Sequence, residues 1–501
     1  LEVKAMKYTS TRNNKESVSA AQAIAQGISR EGGLFVPKSL PRLTADRLEG
    51  LIHKSYLERA SDILGEFLDD FTPGELRDCV QGAYGGDKFG DPRIAPMSRL
   101  DQNAYMLELW HGPTCAFKDM ALQLLPHLLT TSIGKVAQDR EVVILVATSG
   151  DTGKAALEGF KDVAGTKILV FYPQDGVSAV QKLQMQTQEG GNVGVCGVYG
   201  NFDDTQTAVK AIFTDDDLRK TLTERNIMFS SANSINWGRL APQIVYYISA
   251  YCDLVRDEEI AMGDPVNIAV PTGNFGNILA AYYTKRMGLP VGKLICASNV
   301  NNVLTDFIKT GTYDRRREFV MTSSPSMDIL ISSNLERLLY ALYDENDKAV
   351  SGLMADLSGK GVYTVSDEVK AKLQSQFYGG FCDEEHTAKT IRDTFERFDY
   401  LCDTHTAVAL RVYEDYVRAT GDNTKTLIAS TANPYKFAGS ILAALGGGTA
   451  GDEFAQAEEL AKRTGTQIPR QILELQAKEV RFRQVCEKEE MSRVVREMLG
   501  V

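Results

Sequence analysis

The chain has 501 residues, with 55 Lys plus Arg against 66 Asp plus Glu and a formal charge of −11. Hydrophobic residues make 43% of it and charged residues 24%, so apolar content can offset chain entropy throughout and disorder is excluded. No run of about 18 apolar residues occurs, which excludes a membrane-spanning helix, and an acidic chain without a polybasic block is not a general nucleic-acid binder.

Apolar or small residues at 18, 21, 24, 25 and 28 predict a helix over 18–30, stopped by Gly32-Gly33. A short strand over 34–36 follows, ended by Pro37. The stretch to about residue 90 reads as helical and acidic, then becomes Gly-rich at Gly85-Gly86 and Gly90. A boundary is therefore expected near residue 95, closing a mostly helical N-terminal domain over 1–95. Beyond it, short apolar runs over 141–147, 167–172, 193–199, 266–270, 293–297 and 426–429 predict strands. Helical segments over 120–129, 152–160, 204–213 and 277–283 alternate with them. Near-continuous apolar strands between helices mean parallel sheets covered on both faces, with ligands at the loops after the strands' carboxyl ends. Two α/β parts are expected, over 96–260 and 261–501, the second finishing in helices broken near Gly465 and Pro469.

Eight Cys lie singly with no CxxC pair, and five His are widely spaced with no HExxH. Buried reduced thiols are the expectation, and no metal site is predicted. The first residues have neither a signal-peptide apolar core nor an Arg/Ser-rich transit pattern, so a cytoplasmic location is expected.

Three loops could carry chemistry. In the run HGPTCAFKD over 111–119, Lys118 falls in apolar surroundings before a helical segment. A lysine held there loses part of its preference for charge, and its amine becomes available as a nucleophile. The same pattern also suits an ordinary helix-start lysine whose head reaches solvent. The run ATSGDTG over 147–153 leaves a strand and opens a helix, so its hydroxyls and N–H groups suit an anion or simply cap the turn. It is not a P-loop, because Thr148 and Ala155 stand where that motif needs Gly and Ser or Thr. The run PTGNFGN over 271–277 also joins strand to helix, and its two close glycines let backbone N–H groups wrap a phosphate. It is not GxGxxG. An amine, a phosphate cradle and a hydroxyl-rich anion pocket together suit a phosphorylated aldehyde cofactor, pyridoxal 5'-phosphate.

With those residues in view, the chain resembles the threonine synthases in their longer, non-plant form. The resemblance runs nearly end to end through EGGLFVP at 31–37, HGPTCAFKD at 111–119, ATSGDTG at 147–153 and NSINWGRLAPQ at 233–243. It continues through PTGNFGN at 271–277, SPSMDILISSNLERLLY at 324–340, DTHTAV at 403–408 and STANP at 430–434. It implies an α/β fold of PLP fold type II, tryptophan synthase β-like, with two open, mostly parallel sheets and an added N-terminal helical domain. It implies Lys118 as the Schiff-base lysine and Gly273, Asn274, Phe275, Gly276 and Asn277 as the cofactor-phosphate loop. Thr431 then meets the pyridine nitrogen. Thr148, Ser149 and Thr152 receive the substrate carboxylate, while Ser231, Asn236 and Arg239, with Lys182 added, form the substrate-phosphate pocket. Taken alone, Arg239 reads as a surface salt-bridge partner and Asn236 as a helix cap. His405 is expected to make a structural hydrogen bond. Related enzymes of this fold often carry Asn where Asp151 stands, and a carboxylate beside a phenolate is repelled unless protonated or turned away.

The activity implied is conversion of O-phospho-L-homoserine and water to L-threonine and phosphate, with Lys118 as the mobile base and no metal. The alternatives are a phospholyase ending at 2-oxobutyrate and a non-catalytic binding or regulatory protein on the same fold. The partner expected is the small-molecule substrate alone, with neither nucleic acid nor membrane, in a monomer or homodimer.

Overall fold

The computed structural model describes residues 5–137, 140–148 and 150–501. Its N-terminal part is mixed, not purely helical. Strands Asn13–Val18, Tyr8–Ser10 and Phe35–Pro37 form an antiparallel sheet in that order. The helix expected from residue 18 begins at Ala20, because Ser19 accepts from Gln22 N and closes a capping box that ends the preceding strand. Helices Tyr56–Phe67 and Pro73–Tyr84 open on the same device, Ser55 with Glu58 and Thr72 with Glu75.

Two open sheets carry the rest. The larger has six strands in the order Phe377–Phe381, Val291–Ser298, Val266–Pro271, Thr426–Ser430, Ala104–Glu108 and Met97–Arg99, all parallel except the last. The smaller has five parallel strands in the order Val485–Glu487, Val193–Tyr199, Thr166–Pro173, Glu141–Ala147 and Ile227–Ser230. The fold is therefore the expected one of two mostly parallel sheets. A boundary at 260 does not separate them. Ala104–Glu108 pairs with Thr426–Ser430, and the C-terminal strand Val485–Glu487 returns to the smaller sheet.

The helix Trp237–Arg256 is buried along nearly its whole length and joins the N-terminal part to the sheets. Trp237 lies 5.4 Å from Tyr8, 5.7 Å from Phe67 and 5.7 Å from Tyr283, ring centre to ring centre. Each side chain of this size stabilises the fold by about 1.5–3 kcal/mol on burial, and one apolar core runs through all three regions. Among the described residues no helix is long and apolar enough to cross a membrane.

Candidate active site

The loop carrying Lys118 is latched at both ends to the turn after Thr426–Ser430. Phe117 N donates to Thr431 O at 2.8 Å, Asn433 N donates to Cys115 O at 3.0 Å, and Ala116 bridges Ala432. Cys115 takes a left-handed φ of 59° to make that path. Behind it, Asp119 is fully buried and accepts from Thr114 N at 2.8 Å and Thr114 Oγ1 at 2.7 Å. Burial pushes its carboxyl up to about 6.

Lys118 projects between three elements. Its Nζ donates to Ser326 Oγ at 3.1 Å and lies 3.8 Å from Asp151 Oδ2. Burial presses its ammonium below the usual lysine value; Asp151 opposes that, and Lys436 and Arg239 add to it. Asp151 opens the helix Asp151–Phe160 and is bound by Lys436 Nζ at 2.9 Å and Gln181 Nε2 at 3.2 Å. Burial alone would raise its carboxyl, yet Lys436 and Lys118 hold it well below the ordinary range. The Asp151 charge is thus answered inside the protein by two lysines. Gly150 before it adopts φ 136°, and a side chain there would strike Gln181.

The run Gly273–Asn277 wraps the opposite wall. Phe275 takes φ 65° and caps the helix Gly276–Met287, whose first-turn N–H groups have no acceptor within the helix. Holding a bulky residue left-handed costs of order 1–3 kcal/mol, a strain typical of ligand cradles. A side chain at Gly273 would collide with Ser326 O. The loop and Lys118 therefore meet through Ser326. Asn277 Oδ1 accepts from Tyr246 OH at 2.8 Å and also from Tyr247 OH, while its Nδ2 is buried without a partner.

The residues expected around substrate divide by what they already bind. Arg239 is 5% exposed; its Nη1 donates to Ala232 O at 2.9 Å, its Nε has no partner, and no carboxylate pairs with it among the described residues. Burial lowers its guanidinium to about 10. Asn236 is the helix cap of Trp237–Arg256: its Oδ1 accepts from Gly238 N at 2.9 Å, and its Nδ2 donates to Ile24 O and Ser231 O. Ser231 Oγ accepts from Asn233 N at 3.1 Å. Thr148 Oγ1 accepts from Gly150 N at 3.0 Å and Gly153 N at 2.9 Å, closing its own loop. Thr152 is half-buried on the next turn. Lys182 Nζ donates to Gln174 O at 3.3 Å, and no described contact ties it to Lys118. Thr431 is buried, with its N–H given to Thr406 Oγ1 at 3.3 Å. Ser149 lies outside the described residues. Lys436, Ser326 and Gln181 were not singled out by the sequence, although Ser326 lies in the motif at 324–340 and Lys436 two residues past the motif at 430–434.

Three family models match the chain: Threonine synthase N terminus over residues 7–84, Pyridoxal-phosphate dependent enzyme over 92–431, and Threonine synthase, C-terminal over 406–495. A threonine synthase of Pseudomonas aeruginosa is 37% identical, over 86% of this chain and 89% of that one. The chain belongs to the threonine synthase family. The solved structure of a PLP-bound threonine synthase from Brucella melitensis is 35% identical with a TM-score of 0.88, covering 99% of each chain. That of yeast threonine synthase is 30% identical, also at 0.88, with the same coverage. Threonine synthase-like 1 of Homo sapiens is 44% identical over 85% of this chain, but the chain spans 58% of that relative's length.

The family's cofactor is pyridoxal phosphate, and the residues present fit it. Lys118 supplies a buried amine of lowered basicity, the helix start at Gly276 supplies unpaired N–H groups, and the Asn277 amide offers an unanswered donor.

Proposed function

We propose that this chain converts O-phospho-L-homoserine and water to L-threonine and phosphate. Pyridoxal phosphate, when bound, supplies the electron sink that makes protons on the carbons next to the substrate's amino group removable. Lys118 is the residue that attaches it, Gly273–Asn277 hold its phosphate, and Thr431 meets its ring nitrogen with a hydroxyl, which need not keep that nitrogen protonated. With the cofactor bound, Lys118 would be the base: it would take the Cα proton and then a Cβ proton, phosphate would leave Cγ, and protons would return to Cγ and Cα while water gives its hydroxyl to Cβ and its proton to the phosphate. A single flexible amine of lowered basicity suits movement between neighbouring carbons.

The observation that carries the substrate assignment is Arg239. It is a buried cation whose Nε has no partner and which pairs with no carboxylate among the described residues, close enough to Lys118 to depress it. A buried unpaired charge is costly and calls for an anion; a phosphate at Cγ supplies one and leaves with its charge answered. Asn236 and Ser231 shape this wall through the helix cap, and we assign Lys182 to the substrate phosphate and the motif residues Thr148, Ser149 and Thr152 to the substrate carboxylate. We assign the enzyme to the cytoplasm, as a monomer or homodimer acting on this small molecule.

The test is one purified sample read twice. A visible cofactor band, with threonine and phosphate formed in equal amounts from O-phosphohomoserine, is the expected result. Phosphate with 2-oxobutyrate would move the function to a phospholyase. No visible band after added pyridoxal phosphate would overturn the Lys118 assignment and favour a binding protein.

A further inference from the structure

The group that touches the Lys118 amine at hydrogen-bond distance is Ser326 Oγ, at 3.1 Å; the Asp151 carboxylate stands off at 3.8 Å. Ser326 lies in the short turn Pro325–Met327, and two backbone contacts fix it there. Its backbone N–H donates to His405 Nε2 at 3.1 Å. His405 Nδ1 donates to Asp403 Oδ2 at 2.7 Å, which fixes the tautomer and leaves Nε2 as the acceptor that the serine needs. Its carbonyl occupies the space where position 273 has no side chain. The His405 ring is buried against Phe437, 4.9 Å between centres, so it cannot swing away from this duty.

Asp403 does more than orient the ring. It caps the helix Thr404–Thr420, and its other oxygen accepts from Thr406 N and Thr406 Oγ1. Thr406 Oγ1 in turn accepts from Thr431 N at 3.3 Å. One buried carboxylate thus sets both the serine at the amine and the threonine across the site.

We propose that Ser326 is a further catalytic residue acting on Lys118, with His405, oriented by Asp403, as its positioning residue. The proposal rests on the reading of Lys118 as the reacting lysine. The serine hydroxyl accepts from the amine whenever Lys118 carries a proton, so the proton is held at, and returned from, one position. A four-carbon stem without that partner samples many positions, and misplacement of a reacting atom by about 1 Å can cost a hundredfold in rate. The other charged groups that act on Lys118 are Asp151, Lys436, Arg239 and Asp119. They are untouched by a change at 326, so a difference on substitution reports the serine.

The test compares the unsubstituted chain with Ser326→Ala and His405→Leu. In the full chain freed of cofactor, acetylation of Lys118 by acetic anhydride is followed across pH by peptide mass spectrometry. A hydrogen bond accepted from an ammonium favours the charged form, so its loss favours the free amine. Ser326→Ala is expected to label about threefold faster at any pH below the midpoint, equivalent to a midpoint about 0.5 lower. His405→Leu should move the same way by less. The holoenzyme of Ser326→Ala should keep its visible band and its affinity for pyridoxal phosphate while turnover falls roughly tenfold or more. An unchanged labelling profile overturns the contact whatever happens to turnover, and unchanged turnover overturns the catalytic role even where labelling moves. If His405→Leu does not fold, Ser326→Ala alone decides. Should the unsubstituted chain not consume O-phosphohomoserine, the proposed reaction fails, and the labelling, which uses no substrate, still judges Ser326.

Discussion

Lys436 is a fully enclosed lysine whose ammonium answers two groups at once, Asp151 Oδ1 at 2.9 Å and Thr114 O at 2.9 Å. Removing one member of a buried pair strands the other, and the loss exceeds what the pair contributes over a well-packed apolar replacement. Lys436→Met is therefore expected to lower unfolding free energy by about 3 kcal/mol, and adding Asp151→Asn should restore at least half of it. Urea denaturation of the three proteins checks this. The pH dependence has a definite sign. The folded Asp151 carboxyl lies below its ordinary value of about 3.9, so its contribution is complete above that pH and declines as the pH falls from there toward the folded value, because the unfolded chain takes the proton first. Urea midpoints taken between pH 6 and 3 should fall more steeply for the unsubstituted chain than for the double variant. A flat difference between the two would remove Asp151 from this account. No local pattern betrays Lys436, because the partner that buries it, Thr114, is 322 residues away along the chain. Lys118 itself was legible only through its motif, since apolar neighbours alone fit a solvent-reaching lysine better.

The helix Asp151–Phe160 reaches the lysine loop through a missing side chain. A methyl group at Gly159 would run into Leu122 O, in the short helix Asp119–Leu122 that follows Lys118. Close contact there is what brings Asp151 to the lysine. Gly159→Ala is expected to destabilise the protein by about 1–3 kcal/mol through overpacking and to weaken pyridoxal phosphate binding. Denaturation together with a cofactor titration measures both; loss of stability with unchanged cofactor affinity would show that the two helices can separate without disturbing the site. The sheet interiors were readable from sequence for a related reason. Strands such as Glu141–Ala147 and Val193–Tyr199 are apolar on both faces because helices cover both. The flanking strands escaped. Phe377–Phe381 contains Gly379 and Gly380, which break any apolar run, and side chains there would crowd Ile308 and Val412 on the covering helices. Met97–Arg99 and Val485–Glu487 are three residues each, and their strand character comes from the neighbour they pair with.

At the scale of the whole molecule, Arg59 fastens the N-terminal helices to the centre. It is 2% exposed and donates to Leu51 O, Ile52 O, Ser249 O and Oγ, and Asp253 Oδ1, so it bonds the helix Tyr56–Phe67 to the helix that begins near Arg239. Arg59→Leu is expected to lower stability by about 3 kcal/mol or more, since several acceptors lose their donor together. Limited proteolysis should then cut first between residues 50 and 90; an unchanged cleavage pattern would mean that apolar packing alone holds this region. Composition and alternation were enough to indicate parallel sheets, but not how the chain is shared between them, because sheet order depends on distant pairing. That sharing has a consequence for synthesis. Ala104–Glu108 finds its parallel partner only at Thr426–Ser430, and the loop bearing Lys118 is latched by Thr431 O. A ribosome adding about 5–20 residues per second needs roughly 15–60 s to deliver that partner after the lysine has emerged. Throughout that interval the nascent chain carries an apolar strand with an open edge and a lysine loop without its latch. Chaperone attention should fall on this stretch, and cofactor capture is confined to chains whose Thr426–Ser430 strand has already left the ribosome.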